Sequence, residues 1–140
     1  MGLLSRDEVL AFLNEMLEAE RAGAKSLLHL ANEAKGAEAA GLAKAIHHDE
    51  AKWCAMLTAE IRRLEGEPSA KTGAFYEKVL AIPGEGARLA FVNRGQGWVV
   101  RKLKEAIPRI EDPKLARELK VMLESHEENI AKVANSGLIE

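Results

Sequence analysis

Apolar residues recur every three or four positions along four long stretches of this 140-residue chain, as in amphipathic helices. The pattern breaks down between these stretches, where proline and glycine are frequent. The periodicity therefore predicts four long helices, at about residues 6–35, 37–65, 86–108 and 113–135.

Local signals in the sequence support the ends of these helices. The segment from Ser5 to Glu8 has the pattern of a capping box, which predicts that the first helix begins here. Gly36 is expected to end that helix in a left-handed conformation. Asp112 followed by Pro113 matches an N-cap with proline in the first turn, which predicts the start of the last helix.

Residues 67–85 differ from the rest of the chain, because they are long for a turn and hold only a short apolar segment at about 74–81. A connection of this length lets the chain cross from one end of a helical bundle to the other. The prediction is an all-α four-helix bundle: two antiparallel helical hairpins joined by a long crossover with a short helix. It forms one domain over residues 1–140.

One polar residue interrupts the apolar face of each long helix: Glu20, Glu50, Gln96 and His126. The first two lie 30 residues apart, on either side of the first turn, and the last two are also 30 residues apart. In antiparallel hairpins this spacing predicts one inward-facing layer. A buried carboxylate must be paired, protonated or bound to a metal ion.

Two further polar residues lie one turn from this layer. His47 precedes Glu50 by three positions, and Asn129 follows His126 by three, so each pair shares a helix face. His47 is a candidate ligand, with a partly buried structural histidine as the alternative. By contrast, Glu60 and its charged neighbours are expected to be solvated helix surface.

Composition narrows the functional classes. The formal net charge is −2, with no basic block of the kind that contacts nucleic acid. No apolar run approaches a membrane span or a signal peptide, and a single cysteine, Cys54, forms no internal disulfide. A cytoplasmic protein without nucleic-acid or membrane partners is expected. No nucleophilic triad or phosphate-binding loop is present.

The helices resemble those of the ferritin-like superfamily, and bacterioferritins in particular. The segment LNEMLEAE, ending at Glu20, is similar to the first-helix segment that ends in the family's metal-binding glutamate. Glu50 with the later IRRLEGEP resembles the second helix and its exit. Gln96 falls at the position of the third-helix glutamate. DPKLARELKVMLESHEENI resembles the fourth helix, with His126 at the position of its glutamate.

This resemblance implies a ferritin-like bundle that pairs side by side as a homodimer, with exposed apolar residues such as Leu28 and Phe91 as candidates for the contact. It also points to a small bacterial branch of the superfamily, which carries no settled function. A degenerate di-iron site is implied, because several of the family's ligand positions differ here.

The family's di-iron pattern is one glutamate from each of two helices and Glu-x-x-His from each of the other two. Here Trp53 replaces the histidine after Glu50, Gln96 replaces a glutamate, and His126 with Asn129 replaces the second Glu-x-x-His. Two carboxylates cannot balance two divalent ions, and burying the excess charge is costly. Ferroxidase activity therefore does not carry over.

One divalent ion of iron, manganese or zinc matches the remaining charges. Its predicted ligands are Glu20, Glu50 and His126, with His47 and Gln96 in secondary roles. Gln96 and Asn129 are also candidates to orient a ligating histidine. If the protein is an enzyme, the expected class is a metal-dependent oxidoreductase that activates oxygen or peroxide.

The alternative is a non-enzymatic bundle that keeps the polar layer as a relic and binds no metal. In that case the layer is a hydrogen-bond network with a protonated His126 and with Arg94 or Arg101 nearby. The protein would then act through dimerisation, a partner or a small ligand. The sequence leaves both interpretations open.

Overall fold

A computed structural model describes residues 2–139, and its secondary structure is helical throughout, without a strand in this range. The prediction of an all-α chain is confirmed, and the predicted helix ends differ from the observed ones by at most two residues. A 3-10 turn at Ile107–Arg109 follows the fourth helix. The helices are α1 (Arg6–Glu33), α2 (Ala37–Arg63), α3 (Phe75–Ala81), α4 (Glu85–Ala106) and α5 (Pro113–Ala134).

The helix caps show which local sequence signals correctly predicted a helix end. Ser5 Oγ accepts a hydrogen bond from the Glu8 backbone N–H, and Glu8 accepts one from the Ser5 backbone N–H, which confirms the capping box. Asp112 accepts from the Leu115 N–H as predicted. The prediction for Gly36 is wrong: its φ is −107°, and it is the N-cap of α2. An N-cap residue takes extended backbone, so no left-handed turn is needed.

The long helices pack in pairs. Helix α1 lies along α2, and α4 lies along α5, while α1 also contacts α4 and α2 contacts α5. All four long helices contribute to one apolar cluster, which includes Leu13, Leu17, Leu57, Leu103, Leu115 and Leu119. A second cluster near the other end includes Leu27, Leu30, Ile46, Val79, Leu89, Val92 and Val133. None of the helices in residues 2–139 combines the length and apolar character needed to span a bilayer.

The first part of the crossover is fixed to α1 by two polar side chains. Asn14 donates to the Glu67 carbonyl at 3.1 Å and accepts from the Ser69 N–H at 2.7 Å. The Arg21 guanidinium donates to the carbonyls of Ser69 and Lys71 at 2.8 and 2.7 Å. These bonds hold the chain against α1 just before α3 begins.

Helix α3 closes against α4 through an aromatic contact. The rings of Phe75 and Phe91 stack with centroids 5.2 Å apart. Phe91 is therefore half-buried, and the prediction that it is exposed is wrong, whereas Leu28 is exposed as expected. A β-carbon at Gly95 would lie 2.8 Å from the Phe75 ring, so the absent side chain there makes room for it.

The prediction that Glu60 lies on the solvated helix surface is wrong. This residue is buried, with 2% of its surface exposed, because it faces α5 instead of solvent. Arg63 donates to it at 2.7 Å, and Lys114 donates to its other oxygen at 2.7 Å. Arg63 also bonds Asp112, so this charge cluster ties the end of α2 to the start of α5.

Candidate metal centre

A polar layer divides the two apolar clusters. In each long helix, one apolar cluster lies before the polar residue and the other after it. The four side chains are almost fully buried: Glu20 1%, Glu50 3%, Gln96 5% and His126 1% exposed. The prediction that these residues face the interior is confirmed, since helical periodicity determines which face of a helix is buried.

Three of these side chains converge on one point. Ligand atoms of Glu20, Glu50 and His126 all lie within 4.8 Å of one another. His126 Nε2 is 2.6 Å from Glu20 Oε1 and 3.6 Å from Glu50 Oε2. Helices α1, α2 and α5 therefore each supply one oxygen or nitrogen to a single buried site.

The converging atoms lack hydrogen-bond partners within the described residues. Glu20 Oε1, Glu50 Oε2 and His126 Nε2 are all buried without one, and the 2.6 Å contact lacks hydrogen-bond geometry. Leaving a buried polar group unpaired costs about 1–3 kcal/mol, and more if the group is charged. Three such atoms at one point need an additional positive species between them, either protons or a metal ion.

The other nitrogen of His126 determines the form of the ring. Nδ1 lies 2.9 Å from the carbonyl oxygen of Met122. A carbonyl only accepts, so Nδ1 carries a hydrogen. In the neutral imidazole, Nε2 then carries a lone pair that is directed at the carboxylate oxygens. A metal-ligating histidine usually has this form, with the hydrogen on its other nitrogen bonded to an acceptor.

Burial and charge together shift the pKa values of this site. Burial raises the pKa of Glu50 well above its usual value, and the nearby Glu20 charge raises it further. Burial lowers the pKa of His126, but the carboxylates of Glu20 and Glu50 outweigh this effect and raise it to about 11. Without an ion, the raised pKa values favour a proton on Glu50 and a second proton on the His126 ring, and a divalent ion has the charge of these two protons.

Gln96 belongs to the same layer but not to the cluster of three. Its Oε1 is buried without a hydrogen-bond partner in the described chain. Together with Glu20 and Glu50 it lines a cavity of about 360 Å³. The cavity lies between α1, α4 and the residues at the start of α3, whereas His126 is not among its lining residues.

His47 lies outside the cluster, so the structure does not support its predicted role as a ligand. Its Nδ1 is 2.8 Å from the Ala24 carbonyl on α1, which agrees with the structural alternative. Asn129 is also directed elsewhere, because its side-chain amide donates to Asp49 at 2.9 Å. The predicted role of Asn129 in orienting His126 is therefore not supported.

The sequence also places arginine, tryptophan and cysteine side chains near this site. Neither Arg94 nor Arg101 forms an ion pair with the carboxylates within residues 2–139, and the Arg94 guanidinium lies 5.5 Å from the Phe91 ring centroid. Trp53, one turn after Glu50, is buried. Burial and the nearby carboxylates raise the pKa of Cys54 to about 12, so its thiol stays protonated.

Gly23 is a feature of the site that sequence reasoning passed over. A β-carbon there would lie 2.8 Å from Glu50 Oε1. The missing side chain lets the carboxylate approach the α1 backbone. A glycine on the buried face one turn after Glu20 was the available signal, since glycine is unfavourable in a helix interior unless close packing needs it.

The chain belongs to the family described as Domain of unknown function (DUF6306), whose model matches residues 7–135. The match begins at the second residue of α1 and includes all of the later helices. Searches of curated proteins and of solved structures gave no match.

Proposed function

We propose that this protein is a ferritin-like bundle that binds one divalent transition-metal ion through Glu20, Glu50 and His126. The observation that supports this most directly is the convergence of three buried ligand atoms that lack hydrogen-bond partners in residues 2–139. Their residues come from three different helices, so folding alone brings them together.

The geometry is compatible with one ion. Ligand atoms at about 2.1 Å from a tetrahedral ion lie about 3.4 Å apart. The 3.6 Å separation of His126 Nε2 from Glu50 Oε2 is close to this value. The 2.6 Å contact of His126 with Glu20 would lengthen by less than an ångström on binding.

The charges are also compatible. Two ionised carboxylates and a neutral imidazole sum to −2, which one divalent ion neutralises inside a low-dielectric core. Oxygen and nitrogen ligands of this kind suit iron, manganese or zinc. Two ions would leave a buried excess of positive charge, which argues against di-iron chemistry here.

The cavity gives the ion an open side. Glu20 and Glu50 line the cavity, so an ion between them would have protein ligands on one side and the cavity on the other. Three protein ligands with a free position are typical of catalytic rather than structural sites. Metal-dependent oxidoreductase chemistry on oxygen or peroxide is the reaction class that this arrangement suits best.

The ferritin-like assignment is supported by the pairing of the helices. Helices α1 and α2 form one packed pair, α4 and α5 form another, and residues 64–84 connect them through α3. Each long helix carries one inward polar residue at the same level. This is the arrangement expected of a di-iron site that has lost some of its ligands.

Elemental analysis of untagged protein, purified without chelator, tests the ion site. The wild type should hold about one equivalent of iron, manganese or zinc, and Glu20→Ala/Glu50→Ala should hold none. The matched control is Glu124→Ala/Glu128→Ala, which removes two exposed carboxylates from α5 and should keep the metal. Equal metal content in wild type and the first variant would refute the site.

A second function is favoured by the raised pKa values of Glu50 and His126. Protons retained on these two groups would neutralise the layer without an ion, so the site also suits a non-enzymatic bundle that acts through a partner or small ligand. In that case the wild type would hold no metal, and Glu20→Ala/Glu50→Ala would be at least as stable as the wild type.

A further inference from the structure

The cavity beside the polar layer has the size of a small-molecule site. Its volume of about 360 Å³ lies within the range of known ligand pockets. Most of its wall surface is apolar, with contributions from Ala19, Phe75, Val92, Trp98 and Val99, and Glu15, Glu18 and Thr72 also border it. The apolar part of this wall favours contact with an apolar molecule over contact with water.

The cavity is held open by the backbone and the crossover. Gly95 lies on its wall, and a β-carbon there would lie only 2.8 Å from the Phe75 ring. Arg21 bonds the carbonyls of Ser69 and Lys71, directly before the crossover residues that border the cavity. These contacts determine the position of the aromatic wall without a bound molecule.

The polar groups of the cavity determine which ligand would fit. Gln96 borders the cavity, and its buried Oε1 is an acceptor without a hydrogen-bond partner among the described residues, so it would accept from a donor group that reaches it. A metal ion between Glu20 and Glu50 needs a lone pair. A hydroxyl group supplies both, because its O–H donates and its oxygen can coordinate an ion.

We infer that the cavity binds a small apolar molecule that carries one hydroxyl group, such as a phenol, with that group between Gln96 and the ion site. The aromatic rings of Phe75 and Trp98 favour a planar aromatic body. The coordination to an ion rests on the proposed function, whereas the hydrogen bond to Gln96 does not.

Titration with 4-ethylphenol and ethylbenzene tests this inference, because the two molecules differ only in the hydroxyl group. Each is added to metal-free and to zinc-treated protein, and affinity is followed by calorimetry and by the indole N–H signal of Trp98 in NMR spectra. Metal-free protein should bind the phenol at least tenfold more tightly than ethylbenzene. Zinc should raise the affinity for the phenol at least another tenfold and leave that for ethylbenzene unchanged.

Two variants separate the polar contact from the apolar wall. Gln96→Met should lower the affinity of metal-free protein for the phenol to the level of ethylbenzene. Ala19→Phe should weaken both probes at least tenfold by filling the cavity. Ala11→Phe makes the same change at an exposed position of the same helix and should leave both affinities unchanged.

The outcomes distinguish the two proposals. Zinc binding without a preference for the phenol would overturn the hydroxyl ligand and leave the ion site intact. A preference for the phenol that depends on Gln96, without any zinc binding, would support the ligand site and overturn the ion site. Unchanged binding of both probes to Ala19→Phe would place the ligand elsewhere and overturn the inference.

Discussion

Gly23 on α1 and Glu50 on α2 are in such close contact that a β-carbon on the glycine would lie 2.8 Å from the Glu50 Oε1 atom. Glu50 Oε1 is the end of a flexible side chain that borders the cavity, so the carboxylate can give way when the space at Gly23 is filled. This contact couples the packing of the first helical pair to the position of one proposed metal ligand.

We therefore expect Gly23→Ala to lower the affinity for zinc at least tenfold by displacing the Glu50 carboxylate. Because the carboxylate can move towards the cavity, Gly23→Ala should keep most of the gain of about 0.8–1 kcal/mol that alanine normally gives a helix relative to glycine. Gly41→Ala is the control, because Gly41 is exposed on α2 and a β-carbon there meets nothing within 4 Å. It should gain stability and keep its zinc affinity, as measured by urea unfolding and calorimetry.

Glu50→Gln keeps the size of the side chain and imitates its protonated form. Since burial raises the pKa of Glu50 well above its usual value in the ion-free protein, this variant should be about as stable as the wild type in the presence of chelator. At a zinc concentration of 100 times its Kd, the wild type should gain about 2.7 kcal/mol, and the variant much less. An equal gain in both proteins would show that zinc binds elsewhere.

Glu60 gives a pH dependence that is independent of the ion site. Burial alone would raise its pKa, but hydrogen bonds from Arg63 and Lys114 lower it below the usual value. The stability that this contributes is therefore present above about pH 4.5 and is lost as the pH falls through the lowered pKa.

Glu60→Gln should accordingly reduce the free energy of unfolding by about 1–3 kcal/mol at pH 7, since hydrogen bonds to a charged group are lost. The difference from the wild type should shrink as the pH falls below 4. Glu124→Gln changes an exposed carboxylate and should have little effect at either pH. A difference that is constant from pH 7 to pH 3 would contradict the role of the Glu60 charge.

Cys54 should react slowly with alkylating reagents. Only the thiolate is nucleophilic, and burial raises the pKa of this thiol to about 12. Alkylation of the native protein by iodoacetamide at pH 8 should be slower than that of an unfolded sample by a factor on the order of a hundred. Mass spectrometry of timed samples measures both rates, and similar rates would show that the thiol is accessible and ionised.

Much of the fold and the membership of the polar layer could be predicted from the chain alone. The 3.6-residue period of Leu13, Leu17 and their counterparts determines which face of each helix is buried, and Glu20 lies on that face. The capping residues Ser5 and Asp112 bond backbone groups only three residues away, so these contacts can be predicted from the local sequence.

Tertiary structure alone decided what each buried side chain contacts. Periodicity assigns His47 and Glu60 to a region of a helix surface, but only the packing of α1 and α5 brings the Ala24 carbonyl to one and Lys114 to the other. The cavity beside Gln96 depends on how the crossover lies against α1 and α4. Sequence thus determined which apolar face of each helix turns inward, because that is a local property of helices, whereas the burial of Glu60 depends on its contacts across to α5. Three-dimensional packing determined which atoms meet, because side chains distant in sequence take their partners from the neighbouring helix.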